Sequence, residues 1–409
     1  MRATYHECRS RTGVRLAVAR LPDSECAAMS IHVPAGSRDD PPGLAGTAHF
    51  VEHMLFKGTA RRDARGISIE TEDAGAMLNA HTSEDQTAYE GRGDADTLPL
   101  LADILCDMVW HSRFAAEDIE LEREVIAEEI VMYEESPGDH IGDLLSAALW
   151  SPHPLGEPIS GSLESLRRID RETLVGFATG QHRRDDLVVA VAGPYEPQAV
   201  IDLLDPLLPD LQPALSSVPF KGLAKGESLR IDERDTQQVQ LAIAYPTFGR
   251  RDPRRHALRL LAMILGEGSS SRLFLQLRED RGLCYHVSCD ATLLEETGAL
   301  EFVAGLDPEG LEESVEILGR ELSDLATRGP NAAELARAKR LAFSQHRAAM
   351  ESTASHASWA ADSLLHHGKI ICPKDALARI DEVSAAAVRE VAAGLLASGT
   401  RARAEIRPS

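Results

Sequence analysis

Short runs of aliphatic and β-branched residues recur along the chain between turn residues, and they alternate with longer stretches in which apolar positions return every three or four residues. The short runs predict strands at 14–21, 187–192, 238–244 and 300–304. The longer period predicts helices at 97–110, 253–265 and 311–327, with another at 115–136. In that last helix Ile119, Val125, Ile126, Ile130 and Val131 supply the apolar positions, and Pro137 and Gly138 end it. Residues 75–89 begin on Gly75, carry the polar turn Thr82-Ser83-Glu84-Asp85 and have strand-compatible flanks, which predicts a hairpin. Strands interleaved with helices imply sheets with helices packed on them.

The pattern is also duplicated. Val33-Pro-Ala-Gly-Ser-Arg-Asp-Asp-Pro41 and Tyr245-Pro-Thr-Phe-Gly-Arg-Arg-Asp-Pro253 each follow an apolar strand, hold two prolines seven apart and precede a helix. The offset is about 212 residues, so the chain reads as two repeats. We expect an N-terminal repeat over 1–210, a C-terminal repeat over 226–409, and a Pro- and Ser-containing linker over 205–226.

The first repeat carries a metal-binding pattern, His49-Phe50-Val51-Glu52-His53. Positions i, i+3 and i+4 of a helix share a face, so two imidazoles can grip one ion with a carboxylate beside it. Zinc hydrolases use three protein ligands and keep a fourth position for water, whose pKa falls to about 7. The string alone arises by chance in roughly one chain in twenty, so further ligands matter. The 115–136 helix can supply one: Glu122 and Glu129 are two turns apart and can face the same neighbour. Its other glutamates (Glu117, Glu120, Glu124, Glu128, Glu134 and Glu135) read as a solvated face. At the 212-residue offset, His49, Glu52 and His53 become Leu261, Ile264 and Leu265, a helix without metal ligands.

The segment HFVEHMLFKGT at 49–59 resembles the signature of the pitrilysin/insulinase family of zinc metallopeptidases, most nearly the processing-peptidase β-subunits and their bacterial relatives. The resemblance spans nearly the whole chain. It implies an α+β fold of two homologous α/β repeats, each a mostly antiparallel sheet with helices packed on it, in a clamshell. One Zn2+ per chain would be held by His49, His53 and Glu129, the last taken from the match of Glu122-Arg-Glu-Val-Ile-Ala-Glu-Glu129 to the family's E-R-x-V-I-x-x-E. Glu52 would be the general base on zinc-bound water, and Glu122 the glutamate that orients a ligand. Asn79 and Ala80 fall on the family's Asn-Ala-x-Thr strand, along which substrate adds as a further strand. His81 stands where relatives more often have an aromatic or apolar residue, and its role stays open.

The same resemblance assigns Phe56 to the pocket after the scissile bond, and Asp139 and Asp143 to recognition of a substrate arginine. In the second repeat, Leu277-Arg-Glu-Asp-Arg-Gly-Leu-Cys-Tyr-His-Val-Ser288 resembles the block whose arginine and tyrosine, here Arg278 and Tyr285, support the tetrahedral intermediate. The Gly- and Ser-rich 266–271 segment before it is no phosphate loop, since G-x-x-x-x-G-K-[ST] is absent. The family implies peptide substrates and a homodimer, possible heterodimers with a related chain included. A rival is a non-catalytic or heterodimer-dependent subunit of the family, marked by a broken zinc motif; the motif here is intact. A metal-dependent hydrolase of non-peptide substrates is the other.

Composition narrows this little further. A 409-residue chain with 43% hydrophobic residues is large enough for two cores. A net charge of −22 argues against nucleic acid. Six dispersed cysteines without a C-x-x-C pair suggest free thiols, and the lack of a signal-like start or an 18-residue apolar run suggests a cytoplasmic protein without a membrane span.

Overall fold

In the computed structural model, which describes residues 3–215, 217–223 and 225–409, the short apolar runs assemble into two sheets. The first contains β1 (Thr4–Arg9), β2 (Arg15–Arg20), β3 (Cys26–Val33), β4 (Met77–Thr82), β5 (Thr87–Asp94) and β6 (Val188–Gly193), in the order β1-β2-β6-β3-β5-β4. The second contains β7 (Gly226–Arg234), β8 (Val239–Phe248), β9 (Cys284–Leu293), β10 (Thr297–Leu306) and β11 (Thr400–Pro408), in the order β7-β11-β8-β10-β9. Each sheet is antiparallel except for one parallel pair, β2 with β6 and β7 with β11. The 212-residue offset carries β2 through β6 onto β7 through β11, with the parallel pair in the corresponding place. The expected mostly antiparallel α+β repeats are therefore present, and β1 is an addition to the first.

The helices follow the same offset. The first repeat has α1 (Thr47–Leu55), α2 (Ala64–Asp73), α3 (Leu98–His111), α4 (Ala116–Glu135), α5 (Pro137–Trp150), α6 (Leu163–Arg168), α7 (Arg171–Gln181) and α8 (Pro197–Leu204). The second has α9 (Arg255–Gly266), α10 (Leu311–Arg328), α11 (Ala332–Ala349), α12 (Thr353–His367), α13 (Pro373–Asp381) and α14 (Ala385–Ala397). Leu261, Ile264 and Leu265, the counterparts of the metal motif, are buried on α9 in the second core.

The division of the chain differs from the contiguous 1–210 and 226–409 halves read from sequence. One compact unit comprises residues up to Ile130, Pro158–Val218 and Arg347–Cys372; the other comprises Val131–Glu157, Pro219–His346 and Pro373–Ser409. The passage at Val218 and Pro219 falls inside the expected linker, but two further segments are exchanged. The cause is visible in the sheets. Each has one face of larger apolar residues and one rich in alanine, because alanine alternates with valine, leucine or isoleucine along β2, β6 and β8. Ala17, Ala19, Ala190 and Ala192 meet Ala357, Ala360 and Ala361 of α12. In the second unit Ala242, Ala244, Ala402 and Ala404 meet Ile141, Leu145 and Leu149 of α5. At the 212-residue offset α5 and α12 are counterparts, so the repeats trade equivalent helices, and the small side chains let each helix lie close to its sheet.

Among the described residues no helix is long and apolar enough to cross a membrane. All six cysteines are unpaired.

Candidate metal centre

Helix α1 starts where Gly46 adopts a left-handed conformation (φ 94°), a position with no room for a side chain, since a Cβ there would stand 2.5 Å from the Ser160 carbonyl oxygen. Asp40 caps the helix, accepting from the amides of Gly46 and Ala48 at 2.7 Å each. Phe50, Val51, Met54 and Leu55 bury one side of α1 in the first core. That fixes the opposite side, which carries His49, Glu52 and His53. Helix α4 supplies the facing wall: Ile119, Ile126 and Ile130 are buried with Glu122, and Glu129 lies on the same side one turn beyond Ile126.

The donors converge. The Nε2 atoms of His49 and His53 are 3.2 Å apart, and a Glu129 carboxylate oxygen stands 3.8 and 3.6 Å from them. Two nitrogens on one tetrahedral zinc at about 2.0–2.1 Å would be separated by about 3.3 Å, so the spacing suits a shared ion. Among the described residues this is the one group of three His, Cys, Asp or Glu side chains close enough to share a metal. The other ring nitrogen of His53, Nδ1, is 2.8 Å from Glu122, whose second oxygen is paired with Lys57. A carboxylate behind a metal-binding imidazole fixes its tautomer and leaves Nε2 free to bind. His49 Nδ1 is buried without a hydrogen-bond partner among the described residues.

Charge is distributed accordingly. Burial, reinforced by the nearby His53, lowers the His49 pKa to about 4, keeping this ring neutral and able to ligate. For His53 burial also disfavours the charged ring, but the Glu122 bond with the charges of Glu122, Glu129 and Glu52 outweighs it and raises the pKa. Burial works against the Glu122 carboxylate, yet His53 and Lys57 hold its pKa below the ordinary value. A proton would therefore compete with a bound metal first at His53. Metal content after dialysis at descending pH is expected to fall through the raised His53 range, while His49 stays neutral until about pH 4. Full retention of metal down to pH 4 would remove His53 from the ligand set.

Glu52 lies beside the two imidazoles, toward the sheet edge. Burial raises its pKa, while the bond donated by Thr82 Oγ1 at 2.5 Å, followed by the charges of His53 and His81, pulls it back. Thr82 ends β4, and the turn after it is tied down. Ser37 and Arg38 donate backbone bonds to the carbonyls of Ser83 and Glu84 at 3.0 and 3.1 Å, and Arg38 forms a buried 2.9 Å ion pair with Asp85. Gln86 donates to Asp362 of α12 at 3.2 Å. Thr82→Val is expected to lower kcat about tenfold with metal content unchanged, through loss of one hydrogen bond to a charged group. Lys57 and Thr82 were not singled out in the sequence. Lys57 lies four residues past His53, the helical neighbour spacing that could have flagged it.

The remaining sequence-predicted residues divide between the units. Asn79 and Ala80 lie on β4, the edge of the first sheet; Asn79 is exposed, and Ala80 packs against the core. Phe56 follows α1 half-buried, against the cluster of Ile67, Ile104 and Met108. His81 is exposed, close enough for its charge to favour the Glu52 carboxylate. Asp139, Asp143, Arg278 and Tyr285 belong to the second unit. There Asp139 accepts from Ser136 at 2.6 Å, and burial together with Glu134 pushes the Asp143 carboxyl up to about 6. The Arg278 guanidinium lies over the rings of Phe274 and Tyr285 at 4.8 and 4.9 Å. It stands on a π-helical turn closed by a bond from the Asp280 amide to the Leu275 carbonyl, a wide turn frequent at functional sites.

Comparison with known proteins agrees with this geometry. A family profile described as insulinase (peptidase family M16) matches residues 15–162, and one described as peptidase M16 inactive domain matches 168–342. An uncharacterized zinc protease of Mycobacterium leprae is 33% identical over 389 residues, covering 94% of this chain and 87% of that one. The chain belongs to the M16 peptidase family. A second relative, the uncharacterized zinc protease YmxG of Bacillus subtilis, is 31% identical over 85% of each chain. The M16 fold is also that of two crystal structures with 20% identity. One is described as a peptidase M16 inactive domain from Pseudomonas fluorescens (TM-score 0.91, 99% of this chain and 98% of that chain), the other as a protease from Helicobacter pylori (TM-score 0.89, all of both chains). The inactive-domain match falls largely on the repeat in which leucine and isoleucine replace the metal motif.

Proposed function

We propose that this M16 protein is a zinc-dependent endopeptidase that hydrolyses peptides or unfolded segments. The observation that carries the reading is the convergence of His49, His53 and Glu129 beside a Glu52 anchored to the sheet edge. His49, His53 and Glu129 would hold the ion, with Glu122 orienting His53. When bound, zinc supplies Lewis acidity that polarises a carbonyl and acidifies water. Glu52 takes the proton from the attacking water and later delivers it to the leaving amine. A substrate segment adds to the free edge of β4 beside Asn79 and Ala80, so backbone pairing sets the binding and tolerates many sequences. Phe56 contributes to the pocket after the scissile bond, and Asp139 and Asp143 favour a basic residue. Arg278 and Tyr285 donate to substrate carbonyls and the developing oxyanion. We further propose a cytoplasmic homodimer, because one chain already carries both repeats.

The test is to purify the full chain, measure metal per chain and challenge a quenched fluorescent peptide library. About one zinc per chain with cleavage supports the reading. Zinc without cleavage sends it to the heterodimer-dependent alternative, and absence of zinc overturns it.

A further inference from the structure

Side chains on β4 alternate between the two faces of the first sheet. Thr82 reaches Glu52 on the face covered by α1, and Leu78 and Ala80 pack there too. Met77 and Asn79 point to the face on which α12 lies. Register extends these two positions into rows across the sheet: Asn79 opposes Glu90, which opposes Ser30, and Met77 opposes Arg92, which opposes Ala28. Because Ala28, Ser30, Ala354 and Ala357 are small, α12 and these rows enclose a cavity of about 290 Å³ at the edge of the sheet. It opens beside the strand edge that the proposed substrate would occupy, on the face opposite the metal ligands.

Two polar groups lining this cavity have no protein partner among the described residues. The Ser30 hydroxyl is 1% exposed and has no hydrogen-bond partner among the described residues. The half-buried Glu90 carboxylate forms no hydrogen bond or ion pair among the described residues. Arg92, the cation in the lining, is exposed, with its guanidinium 3.7 Å from the Met77 sulfur, and it does not pair with Glu90. A half-buried carboxylate without a protein partner can offer a cation arriving there a charge-assisted hydrogen bond.

We propose that this cavity is a subsite for a lysine or arginine side chain of the peptide strand added to β4. The inference rests on the edge-strand reading of the function. A side chain on the added strand must cross β4, about 4.8 Å wide, to reach Glu90; an extended lysine or arginine does so, its methylenes lying along Met77 and Asn79 and its charge meeting Glu90 and Ser30. A leucine fills the apolar part and leaves Glu90 as it was. Strand rise sets the position: Thr82 is beside Glu52, and Met77 to Asn79 lie three to five residues back at about 3.3 Å each, so the basic residue sits about three to five positions from the scissile bond. This subsite is separate from Asp139 and Asp143, which belong to the other unit.

The experiment uses the full chain and peptides that differ at one position (lysine, norleucine or glutamate), scanned three to five residues to either side of the cleaved bond. Binding is read by fluorescence anisotropy and cleavage in parallel. At one such position lysine is expected to bind about tenfold tighter than norleucine, as for one charge-assisted contact in a half-buried site. Glu90→Gln erases that advantage, and Glu90→Lys transfers it to the glutamate peptide. Equal binding of the three peptides, or a lysine advantage that survives Glu90→Gln, overturns the subsite. So does a glutamate preference that Arg92→Gln removes. A Glu90-dependent lysine preference without any cleavage keeps the subsite and removes the peptidase reading; cleavage without the preference does the reverse.

Discussion

Replacing Glu52 by glutamine is expected to lower peptide cleavage by about 10²–10⁴-fold while zinc per chain stays unchanged. The two carboxylates of the centre separate on this point. Glu129 faces both imidazole nitrogens, whereas Glu52 accepts from Thr82 and is held toward the sheet edge. Glutamine keeps the shape of Glu52 and can still accept the Thr82 hydroxyl, so α1 and the β4 edge retain their packing. It cannot take up a proton at neutral pH, and that is the property removed. Burial raises the Glu52 pKa above the ordinary carboxylate value, the direction that suits a group that must take up and return a proton. The measurement is elemental zinc beside kcat on one fluorescent peptide. Retained kcat would give the base to another group, and loss of zinc together with kcat would make Glu52 a ligand.

Most of the candidate site's geometry was legible because it is local. Two histidines and a glutamate at i, i+3 and i+4 need only the helical period to share a face, and Glu122 and Glu129 at two turns need the same. Their facing partners needed the fold. Thr82 is thirty residues from Glu52 in sequence, and its contact depends on how β4 ends and on the Arg38 and Asp85 pair that ties down the turn. The apolar pattern of α4 also misled in part: Val125 is 51% exposed while Glu122 is buried. Hydrophobicity alone places valine inward, but Glu122 is carried inside by two partners, the His53 imidazole and the Lys57 ammonium. The exchange of α5 and α12 was not legible at all. Counterpart helices from duplicated repeats both present apolar faces to alanine-lined sheets, so periodicity cannot say which sheet each one covers.

The other large effect concerns the third ligand. Glu129→Gln is expected to weaken zinc binding roughly a hundredfold or more, as one of three protein ligands loses its charge, and to abolish cleavage at ordinary zinc concentrations. The fold should survive, because Glu129 is only partly buried and the α4 packing rests on Ile119, Ile126 and Ile130. Glu122→Gln is the informative companion, since Glu122 touches His53 Nδ1 and would act on the metal only through that ring. Its loss is expected to weaken binding about 10–100-fold, so that excess zinc restores activity. Titrating the metal-stripped variants with zinc and following cleavage at each concentration distinguishes the two roles. Recovery of Glu122→Gln at zinc levels where Glu129→Gln remains inactive fits ligand and orienting partner as placed. If Glu129→Gln binds zinc like the unaltered chain and Glu122→Gln does not, the assignment on α4 is reversed.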